Sequence, residues 1–302
     1  MSPAPIALFA YNRPAHIARV IDSLLHNPEA ADSELYIFSD GASGPGCAAA
    51  VGAVRDHLRT IRGFRSIEII EHDRNLGLAA SIVGGVTQLC ASHGRAIVLE
   101  DDVVVSPFFL RYLHEALGRY AQEERVLSVG CYMYPVGAPL PETFFLRLPD
   151  SWGWGVWQRS WDLYEPDGSA LLAEIRRRGL ERDFDFAGSY GFLQMLRDQV
   201  EGKNDSWAVR WYAKAFLLGG LTLYPGTSLT RNIGLDGSGV HGGVTSRFDV
   251  AVADRPILVA RIPVEEDRAA RAQIAAFFGR ARIPEWRARL RSWISPAPGR
   301  PR

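Results

Sequence analysis

Three consecutive carboxylates, Glu100, Asp101 and Asp102, follow directly on the apolar run 96–99. A short continuous apolar run is typical of a buried parallel strand, and ligands of open α/β sheets bind beyond the carboxyl ends of such strands. Three acids at one strand end repel one another, and a hard divalent cation with oxygen ligands relieves that repulsion. The pattern favours metal-assisted chemistry on a phosphate-bearing substrate, and the alternative is a solvated turn that caps the next helix.

A second candidate carboxylate, Asp205, lies in the run Asn204-Asp205-Ser206-Trp207, ahead of Arg210. A carboxylate in this setting can take the proton of a hydroxyl group as the hydroxyl oxygen attacks a carbon centre. Aspartate is also a favoured N-cap residue, so the alternative is that Asp205 caps a helix that begins near Trp207. The two roles are compatible with each other.

Tryptophan and glycine alternate in the segment 152–157, which reads Trp-Gly-Trp-Gly-Val-Trp. Aromatic rings offer flat apolar faces on which sugars can stack, and glycine lets the backbone approach a ligand closely. We expect Trp154 to form a wall of a ligand pocket. The alternative is that the tryptophans fill the core.

A glycine-rich segment near residues 228–241 carries two further candidates. Arg231 could neutralise the charge of a diphosphate, and His241 could bind a metal ion or a phosphate. The alternative for His241 is an ordinary solvent-exposed histidine.

The scaffold for these groups follows from the alternation of strand and helix patterns. Repeated β-α units imply a parallel sheet covered by helices on both faces. Apolar runs predict strands at 5–10, 35–39, 66–71, 96–99, 126–131 and 222–224. Helical periodicity predicts helices at 14–26, 47–61, 76–92, 107–120, 169–180, 191–202, 207–218, 265–278 and 284–293.

We predict one α/β domain over residues 1–250, a C-terminal helical appendage over 251–294 and a disordered tail over 295–302. From Arg268 onward nine arginines face a single acid, Glu285. Basic, aromatic helices suit an anionic membrane surface, which gives a peripheral membrane contact through the Arg-rich C-terminus. The alternative is a helix that packs on the domain and keeps a solvated basic face.

Composition limits the class of partner and the compartment. The 34 basic and 34 acidic residues of the chain leave no net charge that would favour a nucleic acid. Three widely spaced cysteines form neither a disulfide framework nor a metal knuckle. Neither a signal peptide nor a bilayer-length apolar run is present in the sequence. We expect a cytoplasmic protein, free or attached to the inner face of a membrane.

The order of these motifs resembles that of the GT-A-fold glycosyltransferases, in particular the family 2 enzymes and the N-acetylglucosaminyltransferase I group. The segment Leu99 to Asp102 is similar to the acidic motif of that group, and the opening 9–14 is similar to its first-strand motif. Asp40 matches the acid that contacts uracil in such enzymes, and the segment 74–77 resembles their Asn-x-Gly element. The resemblance covers roughly residues 5–245.

The resemblance implies a role for each candidate. It implies that Asp205 is the catalytic base, that Asp102 and His241 hold Mn²⁺ or Mg²⁺, and that three groups of residues bind the substrates. The implied nucleotide and donor contacts are Ala10, Tyr11, Asn12, Arg13, Asp40, Arg74, Asn75, Glu100, Asp101 and Arg231. The implied sugar and acceptor pocket consists of Trp152, Gly153, Trp154, Asn204 and Trp207.

The expected enzyme is therefore a metal-dependent inverting glycosyltransferase. It would move N-acetylglucosamine or a related hexose from a UDP-sugar to a glycan or a lipid-linked acceptor. One alternative is a sugar-nucleotide nucleotidyltransferase, whose glycine-rich N-terminal signature is absent between Ala4 and His26. The other is a non-catalytic glycan-binding or scaffold protein, and the intact acids Glu100 to Asp102 and Asp205 argue against it.

Overall fold

The computed structural model describes residues 3–237 and 244–279. The strands are β1 (Ile6–Ala10), β2 (Glu34–Ser39), β3 (Ser66–Glu71), β4 (Arg95–Glu100), β5 (Val103–Val105), β6 (Val126–Gly130), β7 (Thr143–Leu146), β8 (Trp154–Trp157), β9 (Leu221–Pro225) and β10 (Thr230–Asn232). The helices are α1 (Pro14–Leu25), α2 (Pro45–Leu58), α3 (Leu78–His93), α4 (Phe109–Arg119), α5 (Gln158–Trp161), α6 (Gly168–Arg177), α7 (Glu181–Phe184), α8 (Phe192–Val200), α9 (Trp207–Leu217) and α10 (Arg268–Gly279).

The main sheet has eight strands in the order β3-β2-β1-β4-β8-β6-β9-β7. Strands β1 to β4 pair in parallel, as do β6 and β9. Strands β8 and β7 run antiparallel to their neighbours. The predicted α/β class with a mostly parallel sheet is confirmed, and the carboxyl ends of β1, β2, β3, β4, β6 and β9 share one edge.

Helices cover both faces of this sheet. On one face, the apolar residues of α1 recur with helical spacing at Ile17, Val20, Ile21 and Leu24, and they share a core with α4. On the other face, α3 and α9 pack against the sheet around a group of tryptophans. Because buried side chains on both faces of the sheet pack against the same strands, the carboxyl ends of these strands are held in place from both sides.

Four strands that contribute to this edge were absent from the sequence prediction. β8 lies antiparallel between β4 and β6, with Val98 opposite Trp154. β5 follows the acidic triplet directly and pairs with β10, with Val103 opposite Asn232. β7 closes the sheet beside β9. These strands have three or four residues each, which is too short for periodicity to separate them from loops.

The part of the chain after residue 250 packs on the main domain as far as the structure describes it. Ala253, Ile257 and Val259 join the core beneath α1 and α4. Helix α10 corresponds to the predicted helix at 265–278 and buries Ala270 and Ile274 in a second aromatic core. The predicted helix at 284–293, the tail and most of the arginine-rich stretch lie outside the described residues. Within 3–237 and 244–279, each helix is too short or too polar to span a bilayer.

Candidate functional site

The strand order creates a crevice between the segments that follow β1 and β4. The chain proceeds from β1 to β2 and β3 in one direction, and β4 lies on the opposite side of β1. Such a switch point in an α/β sheet is where the loops beyond two neighbouring strands diverge and leave room for a ligand. The first-strand motif and the acidic triplet therefore face each other across this crevice.

Direct contacts join the two segments. The backbone N–H of Tyr11 donates to Asp101 Oδ2 at 3.1 Å. The Arg13 guanidinium donates through Nη2 to Asp101 Oδ1 and lies 3.0 Å from Asp102 Oδ2 through Nη1. The structure thus brings together five of the predicted nucleotide or metal residues: Tyr11, Arg13, Glu100, Asp101 and Asp102.

Burial shapes the electrostatics of the triplet. Removal from water raises the pKa of Asp101, and the charge of Arg13 acts in the opposite direction. The pKa of Glu100 is raised well above its ordinary value, first by burial and then by the charges of Asp102 and Asp101. Within the described residues, Glu100 accepts no hydrogen bond that would stabilise its charged form. A cation beside Glu100 would stabilise its charged form and lower its pKa.

The residues present fit a divalent cation that also binds a substrate. Arg13 offsets one of the three acidic charges, so two remain. The described parts of the chain contain no cluster of three or more His, Cys, Asp or Glu side chains arranged as a metal cage. Mg²⁺ and similar hard ions use one or two carboxylates together with substrate phosphates, and this donor set suffices for that mode. Asp102, with its side chain 15% exposed, can supply one oxygen, and Glu100 can supply another.

The segment after β10 packs directly on this ion pair. The N–H of Ile233 donates to the Asp102 carbonyl at 2.8 Å. A Cβ atom at Gly234 would collide with Asp102 Oδ2 and would lie 2.8 Å from Arg13 Nη1, so only glycine fits there. Arg231 is paired with Asp249, with 2.6 Å between Nε and Oδ1, and its predicted contact with the donor stays a prediction. His241, the second predicted metal ligand, lies outside the described residues.

Asp40, at the carboxyl end of β2, holds a turn. Its Oδ1 accepts from the N–H groups of Gly41 and Leu76, at 2.9 and 2.8 Å. Its Oδ2 accepts from Asn75 Nδ2 and from the Gly77 N–H, at 2.9 and 3.1 Å. The Asp40 side chain therefore links the end of β2 to the turn 75–77, next to the crevice.

Asp205 lies at the same edge from the opposite side. A helix that leads into a parallel strand runs antiparallel to that strand, so α9 begins at the carboxyl edge of β9. The N-cap of α9 is Ser206, whose hydroxyl accepts from the Val209 N–H at 3.2 Å. The alternative that Asp205 caps this helix is therefore wrong. Asp205 is 69% exposed and pairs at 3.0 Å with Arg210, which is only 12% exposed.

Asn204 and Arg210 fix the conformation around Asp205. The side-chain Oδ1 of Asn204 accepts from the Ser206 N–H at 3.0 Å, and its Nδ2 donates to the Met195 carbonyl at 3.2 Å. Arg210 Nε donates to the Ser206 carbonyl at 3.3 Å. The Asp205 carboxylate is thus held at the surface by a largely buried cation, free to meet a substrate hydroxyl.

The prediction that Trp154 forms a pocket wall is wrong, because the structure places this residue in the core. Trp154 is 1% exposed and stacks on Trp207, with 5.4 Å between ring centroids. Trp207 is equally buried, which removes it from the predicted pocket as well. Trp152 is half-buried and meets Tyr132 edge to face at 4.7 Å. Gly153 has a φ of +84° and allows the chain to turn between Trp152 and Trp154.

Asp150 is a residue of this edge that sequence reasoning missed. Its carboxylate accepts from the N–H groups of Cys131, Tyr132 and Trp152, at 3.0, 2.8 and 3.0 Å. It therefore joins the end of β6 to the turn that precedes β8. Burial raises its pKa to about 6, against the stabilising effect of these backbone hydrogen bonds. The only signal in the sequence is a single Asp beside Pro149, which does not distinguish this residue from any loop aspartate.

The raised pKa of Asp150 predicts a pH-dependent stability. The folded protein binds this proton more tightly than the unfolded chain, whose pKa is 3.8, so the contribution is largest at low pH and is lost as pH rises through about 6. Relative to Asp150→Asn, the free energy of unfolding of the wild type should fall by about 2 kcal/mol between pH 4 and 7. Urea unfolding of both proteins across this range measures it. A difference that is flat or rises with pH contradicts the assignment.

Cys47 offers a chemical probe of the crevice. Hydrogen bonds from Tyr11 and Ser43 lower the pKa of the Cys47 thiol, whereas burial raises that of Cys90 to about 12 and that of Cys131 well above its ordinary value. The thiolate is the reactive form, so N-ethylmaleimide should modify Cys47 first. A nucleotide bound at Tyr11 should protect it, which peptide mass spectrometry can quantify. Equal labelling with and without saturating UDP would place the nucleotide elsewhere.

Comparison with known proteins defines the class. Residues 6–137, less than half of the chain, match the family model for glycosyl transferase family 2. This part of the chain is similar to family 2 glycosyltransferases, and it contains both the first-strand motif and the acidic triplet. The predictions of a GT-A fold and of a glycosyltransferase enzyme are thereby confirmed. The narrower similarity to the N-acetylglucosaminyltransferase I group stays a prediction.

Comparison with individual proteins does not narrow this class further. No curated protein is significantly similar to the chain in sequence. One solved structure, the mannosyltransferase PcManGT from Pyrobaculum calidifontis in complex with GDP-Man and Mn²⁺, is 13% identical, with a TM-score of 0.37. The similarity covers 70% of this chain and 74% of that one. At this level of likeness no conclusion about the donor or the metal of the present chain follows.

Proposed function

We propose that the protein is an inverting glycosyltransferase that uses a nucleoside diphosphate sugar and a divalent cation. The observation that carries this proposal is that the candidate residues lie at the same carboxyl edge of the main sheet. Arg13 and the three acids at the end of β4 meet at the crevice between β1 and β4, and the exposed Asp205 lies near the start of α9 on the same edge of the sheet. One side supplies charges for a diphosphate and a metal ion, and the other supplies a base for an acceptor.

On the donor side, each residue has a task that its position supports. Ala10, at the end of β1, and Tyr11 and Asn12, directly after it, border the crevice, where a nucleoside would lie. Arg13 holds Asp101 and Asp102 in place and balances part of their charge. Asp102 and Glu100 would hold the cation, Mn²⁺ or Mg²⁺, which when bound neutralises the leaving diphosphate. By the resemblance, UDP with N-acetylglucosamine or a related hexose is the first donor to test.

On the acceptor side, Asp205 would act as general base. It takes the proton of the acceptor hydroxyl while that oxygen forms a bond to the anomeric carbon and the bond from that carbon to the diphosphate oxygen breaks. Attack from the face opposite the leaving group inverts the anomeric configuration. Arg210 holds the carboxylate in position. The acceptor, a glycan or a lipid-linked sugar, stays open, and nothing in the charge balance favours a nucleic acid.

Calorimetric titration of UDP-N-acetylglucosamine, with and without Mn²⁺, tests this proposal. Metal-dependent binding by the wild type, lost in Asp102→Asn and kept in the control Asp56→Asn, is the expected result. Asp56 is a matched carboxylate on the exposed surface of α2. Tighter binding of a free nucleoside triphosphate would favour the nucleotidyltransferase alternative. Failure of UDP- and GDP-sugars alike to bind would contradict the proposed function and favour a scaffold.

A further inference from the structure

The segment between α5 and α6 contacts the cation that holds Asp205. Arg210 Nη1 donates to the Pro166 carbonyl at 3.4 Å, while Nη2 of the same guanidinium donates to Asp205 Oδ1 at 3.0 Å. A distance of 3.4 Å is long for a hydrogen bond between nitrogen and oxygen. The Pro166 contact alone therefore defines the orientation of the guanidinium only weakly on this side.

Tyr164, two residues before Pro166, brings a second polar group to this guanidinium. Its side chain is half-buried, and its hydroxyl oxygen is shielded from solvent. Burial raises the pKa of Tyr164, the charge of Arg210 acts in the opposite direction, and the charge of Asp205 adds to the effect of burial. Within residues 3–237 and 244–279, the hydroxyl makes no hydrogen bond of regular geometry. A buried hydroxyl in this state is unusual, and here it lies beside an ion pair.

The tryptophan core fixes the ring of Tyr164. This ring stacks on Trp161, with 5.0 Å between the centroids and 22° between the planes. Trp161 is 2% exposed, and its Nε1 donates to Thr87 Oγ1 of α3 at 2.9 Å. Trp161 also contacts Trp211 of α9, with 5.5 Å between the centroids. The Tyr164 ring therefore rests on a buried residue that α3 and α9 hold in place, and its hydroxyl lies beside the ion pair.

We infer that Tyr164 is a positioning residue for the catalytic base, because it limits the movement of the Arg210 guanidinium that holds Asp205. This inference rests on the proposed function, which assigns Asp205 as the base. An exposed ion pair keeps one geometry only at a cost in side-chain entropy, and Asp205 is 69% exposed. The contacts of Arg210 with the Ser206 and Pro166 carbonyls, at 3.3 and 3.4 Å, are both long.

The Tyr164 hydroxyl supplies the missing restraint on the guanidinium. Rotation of Arg210 would move the Asp205 carboxylate away from the acceptor hydroxyl, and general-base catalysis is sensitive to such displacement. Donor binding takes place at the crevice between β1 and β4 and does not depend on this restraint. The inference therefore predicts an effect on turnover without an effect on the affinity for the donor.

Tyr164→Phe, which keeps the stacked ring and loses the hydroxyl, tests the inference. The assay is release of UDP from UDP-N-acetylglucosamine with Mn²⁺, in which water takes the place of the acceptor hydroxyl. The rate should fall by roughly fivefold to tenfold, the effect of one lost polar contact, while the dissociation constant of the donor and the melting temperature stay unchanged. In an Arg210→Gln background the same substitution should have no further effect, because the hydroxyl acts through the guanidinium.

Tyr36→Phe is the matched control, since Tyr36 is a half-buried tyrosine of β2 whose hydroxyl lies 3.4 Å from His93 Nε2, at the opposite edge of the sheet. It should keep the full rate. An unchanged rate in Tyr164→Phe would overturn the inference and leave Asp205 as the base. Equal losses in the wild-type and Arg210→Gln backgrounds would mean that Tyr164 acts independently of Arg210.

Two further results separate this inference from stability and from the proposed function. A fall in melting temperature that parallels the loss of rate in Tyr164→Phe would assign the hydroxyl to the stability of the fold. A normal rate in Asp205→Asn, or no UDP release by the wild type, would contradict the proposed function, and this inference would fail with it.

Discussion

Asp205→Asn should lower the turnover number by a factor of about 10² to 10⁴ and leave the dissociation constant of the donor unchanged. General-base assistance contributes an effect of this size. The amide keeps the shape of the side chain and can still accept from Arg210, but it cannot take a proton from a hydroxyl. Because Ser206 and not Asp205 caps α9, the substitution leaves the helix start intact. The loss should therefore be one of chemistry and not of folding.

The measurement is donor turnover in the presence of acceptor, together with calorimetry of the donor and a melting curve. Asp198→Asn is a matched control, since Asp198 is a partly exposed carboxylate on α8 whose described contacts are with Gln194 and Lys203. It should retain full turnover. Normal turnover in Asp205→Asn would remove Asp205 from the mechanism. A parallel fall in melting temperature would assign it to stability instead.

Arg13→Gln should destabilise the fold by about 3–5 kcal/mol at neutral pH, because it leaves the buried Asp101 without a cation. Asp101 and Asp102 both pair with this one guanidinium. Glutamine can still donate a hydrogen bond but cannot balance charge. Burial already raises the pKa of Asp101 and of Glu100, so these carboxyl groups should be protonated in the variant at low pH. The loss of stability caused by Arg13→Gln should therefore be smaller at pH 4 than at neutral pH.

Denaturant unfolding at several pH values measures this loss. The double variant Arg13→Gln/Asp101→Asn completes the cycle and should recover much of the stability, because no uncompensated charge remains. A loss that is the same at pH 4 and pH 7, or a double variant as unstable as the sum of the single ones, would argue that Arg13 acts through packing alone.

The donor side was largely predictable from sequence because its parts are local. Strands β1, β2 and β4 each lead from a largely apolar run into polar residues, and parallel topology brings these strand ends to one edge. The contact of Tyr11 and Arg13 with Asp101 follows from this geometry. The role of Asp40 in holding the turn 75–77 was not predictable, since the partners of its hydrogen bonds depend on how that turn folds back onto the end of β2.

The acceptor side was less predictable because it depends on contacts between distant segments. The sequence predicts a helix from Trp207, but only the folded structure shows that Ser206, and not the preceding Asp205, caps it. The tryptophans of 152–157 alternate in a strand, and which of them is buried depends on the pairing of β8 with β4 and on the turn at Gly153. Asp150 is defined by backbone donors from residues that precede it by up to 19 positions.

The antiparallel β8 has a consequence for how this architecture can diversify. In the main sheet it separates β1 to β4, whose ends carry the predicted donor residues, from β6 and β9. Helix α9, which begins just after Asp205, leads into β9. The two halves meet only across this one strand in the sheet. Because the segment after β10 also packs on the Arg13–Asp102 pair, residues after β8 can vary only where the contacts of Ile233 and Gly234 with that pair are kept.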